Sequence, residues 1–241
     1  MFMLQRTVLA SLLVLAAIRG APAADEPQPL RVLFIGNSYT SVNDLPKMID
    51  ELSKTGKQRP LEISRELRGG YTLEMHWKDG KAAQKIAAKK WDLVVLQEHS
   101  LRPISDRKLM FEYAAKLDAE VKKQGGKTLL YLTWARQGKL DTQATLSKAY
   151  LELAKDLKAS VAPAGVAWEL ALKDNDKLVL HQPDKSHPNK AGTYLAACVF
   201  YGAIHGKSPE GLPGKIGGLT DEEAKKLQTI AWKAVQDTAG K

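Results

Sequence analysis

One serine, one aspartate–histidine pair and a glycine-bearing turn each stand where a short apolar run ends. Ser38 follows Gly36-Asn37 after the run Arg31-Val-Leu-Phe-Ile35, and Asp184 and His187 lie in Asp184-Lys-Ser-His-Pro188. Serine is a poor nucleophile until an imidazole accepts its proton. The imidazole in turn needs a carboxylate that fixes its tautomer and stabilises its charged form. A D-x-x-H spacing on one turn lets both side chains reach the same side, with the acid behind the histidine. The turn at Ser38 leads from a buried strand toward a helix, so the hydroxyl can project while the amide points at a developing oxyanion. Attack on a carbonyl carbon is the chemistry these residues suit. The surroundings of Ser38 are not G-x-S-x-G, which argues against an α/β-hydrolase elbow.

Other residues have both a chemical and a structural reading. Serine often caps a helix, and Asn43 and Asp44 just ahead of an amphipathic stretch read as caps. His99 and His181 are rival bases. His76, in Glu74-Met-His-Trp77, is a packed or a lining histidine. Trp77 and Trp134 are core anchors or aromatic faces at a cleft. No H-E-x-x-H or comparable ligand spacing joins His76, His99, Asp184 and His187, so neither a metal nor another cofactor is expected.

The elements that must position these groups are legible as short apolar runs alternating with helical periods, the pattern of a parallel sheet with crossover helices. The runs are 31–35, 61–65, 92–96 and 128–132, with a weaker fifth near 159–162. The first, third and fourth are nearly all apolar and are predicted to be central, whereas the alternating second belongs nearer an edge. Helices are predicted over 45–52, 73–88, 108–123, 145–157, 191–204 and 221–238, with a Gly/Pro-rich connection at 205–220. In such a sheet, ligands bind beyond the carboxyl ends of the strands. That edge collects Gly36-Asn37-Ser38, Arg68-Gly69-Gly70, Gln97-Glu98-His99-Ser100 and Asp184 to His187.

At the amino end, a basic start and an apolar run from Thr7 to Ile18 are followed by Ala21-Pro22-Ala23, the anatomy of a secretory signal cleaved after Ala23. The run is too short for a spanning helix, so no stable membrane insertion is expected once residues 1–23 are removed, and the protein is expected to be secreted or periplasmic. Residues 24–241 then form a single domain, long enough for a substantial core. The formal charge of +9 falls to +7 when Arg6 and Arg19 leave. The remaining cations are mainly lysines spread over every segment, without an arginine cluster or interleaved aromatics, so nucleic acid is not an expected partner. Cys198, the single cysteine, reads as a small buried hydrophobe and excludes an intrachain disulfide. Nothing in the sequence implies an oligomeric state.

Phe34-Ile-Gly-Asn-Ser-Tyr-Thr40 resembles the first block of the SGNH (GDSL-type) hydrolases, Gly69-Gly-Tyr-Thr72 the second, and Asp184-Lys-Ser-His-Pro188 the last. The three fall in order and the likeness spans the mature chain. Asn37 stands where the name-giving motif has aspartate, and Leu96-Gln-Glu-His-Ser100 replaces the usual third block, as in a secreted bacterial branch with G-N-S and L-Q-E patterns. The resemblance implies a three-layer, flavodoxin-like α/β fold with about five parallel strands. It implies ester hydrolysis through an acyl-Ser38, with Asp184 and His187 completing the triad and Ser38, Gly70 and Gln97 forming the oxyanion hole. Tyr71, His76, Trp77 and Trp134 are candidate substrate-lining residues. The expected substrate is a small-molecule or polysaccharide ester, first an O-acetylated carbohydrate. The alternatives are a lipid or aryl ester, or a non-catalytic carbohydrate-binding module on the same fold.

Overall fold

The computed structural model describes residues 28–239, so the expected signal segment lies outside the described residues. In chain order the elements are β1 (Leu30–Gly36), α1 (Ser38–Ser41), α2 (Leu45–Thr55), β2 (Leu61–Leu67), α3 (Leu73–Lys78), α4 (Lys81–Ala88), β3 (Leu93–Leu96), α5 (Arg102–Ser105), α6 (Arg107–Lys123), β4 (Lys127–Tyr131), α7 (Gln143–Leu157), β5 (Ser160–Ala162), α8 (Ala164–Asp174), α9 (Lys190–His205) and α10 (Asp221–Thr238). The five strands are all parallel in the order β2-β1-β3-β4-β5. Strands β1, β3 and β4 are central and β2 is at an edge, as their apolar patterns predict.

Alternation along β1 builds two cores, because successive side chains of a strand point to opposite faces. Val32 and Phe34 join the core formed with α2, α8, α9 and α10. Leu33 and Ile35 join the one formed with α3, α4, α6 and α7. The result is three layers, and a sheet covered on both faces needs strands apolar throughout. Cys198 is buried in the first core. No described helix is long and apolar enough to cross a membrane.

One predicted element needs correction, and one long helix is missing from the predicted set. The expected helix over 73–88 is two helices, because Gly80 takes φ 76° and Asp79 accepts the Lys81 N–H at 3.0 Å, restarting the chain at α4. Helix α8 was not anticipated. Its apolar first turns continue from β5 through Pro163 without a side-chain cap, so period and boundary are both obscured. Thr72 accepts from Met75 N–H, Asp106 from Leu109 N–H and Asn189 from Gly192 N–H, each capping the helix that follows it. Thr72 and Asn189 begin helices that follow carboxyl-edge loops, and Asp106 begins α6 directly after α5.

Candidate active site

Three sequence segments meet at Ser38. Asn37 is extended (φ −131°) and caps α1, its Oδ1 accepting the Tyr39 N–H at 3.0 Å. Its Nδ2 donates to the Tyr71 carbonyl at 2.9 Å, tying the nucleophile turn to the turn at Gly69-Gly70. With its neighbour so fixed, Ser38 projects toward the 184–187 loop, and its Oγ lies 2.8 Å from His187 Nε2. His187 Nδ1–H donates to Asp184 Oδ2 at 2.5 Å, which leaves Nε2 free to accept the serine proton. Asp184 Oδ1 also accepts the N–H groups of Ser186 and His187, at 3.0 and 2.9 Å. The bond from His187, followed by that from Ser186, pulls the Asp184 carboxyl down to about 2. Asp184 is therefore a carboxylate wherever the protein is folded near neutrality, and it can stabilise an imidazolium.

The 184–187 loop is held from beneath by aromatic rings. Tyr39 stacks on Trp134 with centroids 4.9 Å apart, and Trp134 stacks on Trp168 at 3.9 Å. Trp134 Nε1–H donates to the Ser186 carbonyl at 3.1 Å, and the Tyr39 hydroxyl bonds Ser186 Oγ at 2.7 Å. His181 stands edge-on to Trp168 and donates through Nε2 to the Ala135 carbonyl at 3.0 Å. It is thus a buried structural histidine and not a second base. Asn43, left-handed at φ 54°, donates from Nδ2 to the Pro188 carbonyl (3.1 Å) and Thr193 Oγ1 (2.9 Å), while Asp44 caps α2. Asn43 therefore anchors the residue after His187.

Two backbone amides near the nucleophile turn are left free. Neither the Ser38 nor the Gly70 N–H has an acceptor among the described residues, and Gly70 takes φ 73°, a conformation that costs glycine little. Gln97, expected as the third donor, has another task. Its side chain is 0 % exposed, Oε1 accepts the Asn37 N–H (2.8 Å) and the Thr40 hydroxyl (3.0 Å), and Nε2 donates to the Glu98 carbonyl (2.5 Å). The carboxamide is a clamp under the nucleophile turn. Glu98 does the same for the neighbouring turn: its Oε1 accepts the Leu73 and His99 N–H groups at 3.2 and 2.6 Å. Burial raises the Glu98 carboxyl to about 7 against the opposing pull of those two bonds.

Three of the expected lining residues are placed elsewhere. His76 is fully buried and donates from Nε2 to the Gly36 carbonyl at 2.8 Å; burial lowers its pKa and keeps it neutral. Trp134 is buried as the loop anchor just described. Trp77 packs on the core beneath α6, with the Lys116 ammonium 6.0 Å from its ring. Tyr71, half-buried beside Gly70 and bonded through its hydroxyl to Arg68 Nη1 at 3.2 Å, keeps a position at the site. The anchoring roles of Tyr39, Ser186 and Asn43 were not read from the sequence. Tyr39 and Ser186 sit beside triad residues, but the ring stack that joins them comes from the loop after β4 and from α8.

Parallel sheet, the hydrogen-bonded Ser38–His187–Asp184 relay and two free amides together form the arrangement that a serine hydrolase of three-layer α/β build would use. No known family profile and no curated protein matches the sequence. Solved structures do. A protein of Slackia heliotrinireducens assigned to the SGNH hydrolases is 27 % identical, with TM-score 0.63 over 73 % of this chain and 100 % of its own. A DUF4886-family protein from Bacteroides uniformis is 20 % identical, with TM-score 0.69 over 87 % and 95 %. A catalytic mutant of an acetylxylan esterase from Geobacillus stearothermophilus is 16 % identical, with TM-score 0.58 over 75 % and 96 %. The chain belongs to the SGNH hydrolase superfamily.

Proposed function

We propose that this protein is an exported serine esterase that removes acetyl groups from O-acetylated carbohydrate. The observation that carries the catalytic part is the unbroken relay Ser38 Oγ, His187 Nε2, His187 Nδ1 and Asp184 Oδ2, at 2.8 and 2.5 Å. Ser38 attacks the ester carbonyl as His187 takes its proton, and the Ser38 and Gly70 amides receive the negative oxygen. His187 then gives the proton to the departing alcohol oxygen, leaving acetyl-Ser38. Water, deprotonated by the same imidazole, attacks the acyl carbon and releases acetate and free Ser38. No further reactant is needed.

The preference for a carbohydrate substrate rests on openness. The Asp184 and His187 side chains are 46 % and 30 % exposed, so the triad lies at an open edge that a polymer can approach. The likeness to an acetylxylan esterase supports the same reading by analogy of fold. The test is a chain-length series of matched esters from acetyl to octanoyl alongside acetylated xylan and other acetylated glycans. Acetate release from a glycan, with rates falling beyond short acyl groups, is expected. A rate that climbs to octanoyl with no acetate from any glycan would favour a lipid ester instead.

A further inference from the structure

Among the seven arginines of the described residues, five pair with a carboxylate: Arg31, Arg65, Arg68, Arg102 and Arg107. Arg59 is an exposed side chain that donates to backbone carbonyls of the chain's first described residues. Arg136 is different. It is half-buried, no carboxylate of the described residues lies within ion-pair distance, and its Nε is fully enclosed without a hydrogen-bond partner. A guanidinium withdrawn from water and left without a counter-charge is costly unless something else supplies one.

Its place in the fold says what that could be. Arg136 leaves the carboxyl end of β4 between two catalytic loops. On one side its Nη2 donates to Ser100 Oγ at 3.1 Å, in the loop after β3. On the other, the next residue's amide, Gln137 N–H, donates to the Lys185 carbonyl at 2.9 Å, inside the Asp184–His187 loop. The backbone is held firmly, with Ala135 N–H on Gln143 Oε1 at 2.7 Å and Ala135 carbonyl on His181. The half-buried His99 lies against the same cation. Its pKa is lowered first by burial and then by the charges of Arg136 and Arg102. Arg102 is already paired with Glu74, and Glu98 spends its one bonded oxygen on backbone amides.

We propose that Arg136 is the anion-binding subsite of the esterase and that the ester substrate bears a carboxylate, which the guanidinium receives while the ester bond sits at Ser38. This rests on the esterase reading above. The carboxylate belongs either to the acyl half, as in a hemisuccinate, or to the alcohol half, as in an acetylated uronic acid, and two matched pairs of substrates separate these sources.

The experiment measures kcat/KM of the full mature chain for p-nitrophenyl hemisuccinate against p-nitrophenyl butyrate, and for a 2-O-acetyl methyl glucuronoside against its carboxyl methyl ester. One pair is expected to favour the anionic member by about tenfold or more, the scale of one charge-assisted hydrogen bond. Raising salt from about 0.01 M to 1 M should shrink that ratio, because the Debye length falls from roughly 30 to 3 Å. Arg136→Gln should bring the ratio near one, and Arg136→Lys should retain part of it. A ratio near one in both pairs for the unaltered protein, or a ratio that survives both salt and Arg136→Gln, overturns the subsite. Turnover of p-nitrophenyl acetate without any charge preference removes the subsite alone; absence of turnover on every ester removes the esterase reading together with it.

Discussion

A Cβ placed on Gly36 would lie 2.6 Å from Gln97 Oε1 and 2.9 Å from Gln97 Cβ. The last residue of β1 must therefore be glycine for the Gln97 side chain to cross it and reach the Asn37 amide and the Thr40 hydroxyl. The Gly-Asn-Ser turn and the Gln-Glu segment are two halves of one packing arrangement.

Removing the clamp should thus act on stability as well as on rate. Gln97→Ala leaves the buried Asn37 N–H unsatisfied and should lower stability by about 1–3 kcal/mol. Gly36→Ala should lower it on a similar scale of about 1–3 kcal/mol by overpacking against Gln97. Thermal or urea melting of each variant, read beside turnover, is the check. A loss of about 10²–10³ in turnover with unchanged melting would return Gln97 to the oxyanion hole.

For the triad, Ser38→Ala and His187→Ala should each lower kcat by roughly three orders of magnitude or more, and the double variant should be hardly worse than either. Steady-state kinetics on p-nitrophenyl acetate decide the point. Losses that multiply would mean that the two side chains, 2.8 Å apart, do not act as a unit.

Much of this was legible because it is local. The strands are apolar runs of the right length, and Ser38, Asp184 and His187 stand in turns that the spacing and the resemblance to the SGNH blocks single out as candidates. The task of Gln97 was not legible, since it depends on which way a carboxamide points after β3 pairs with β1. Nor were the roles of His76 and Trp134: both lie on segments that border the site, and only the packing of α3 on β1 and of α8 on the segment after β4 shows them facing inward. Side-chain direction at a crowded sheet edge is set by tertiary contacts that no period in the sequence records.

Trp134 should be an anchor whose loss is felt at Ser38. Trp134→Phe keeps an aromatic ring in the stack but deletes the bond to the Ser186 carbonyl, freeing the loop that carries His187. Turnover is expected to fall by up to about 10²-fold, since misplacing a catalytic group by an ångström costs on that scale. KM for a small ester should change much less. A rise in KM alone would instead make Trp134 a substrate contact.

Glu98 gives a pH signature. Burial raises its carboxyl to about 7, above the 4.5 of an exposed glutamate, so between these values the unfolded chain releases the proton that the native state holds. Its contribution therefore lowers stability as pH rises from about 4.5 to 7 and is fully unfavourable above that window. Glu98→Gln keeps an Oε1 acceptor for the Leu73 and His99 amides and removes the titration. The variant should gain on the unaltered protein through this window when melting temperature is followed against pH. Parallel curves would show that Glu98 does not titrate there.

The proposed reaction begins with Ser38 as a nucleophile activated by His187. The most direct measurement treats the purified protein with a fluorophosphonate, digests it and locates the adduct by mass spectrometry, with p-nitrophenyl acetate turnover followed in the same sample. A single phosphonyl adduct on Ser38, stoichiometric loss of turnover, and no labelling of Ser38→Ala or His187→Ala are the predicted results. Folded protein that neither takes the label at Ser38 nor hydrolyses the ester would contradict the account.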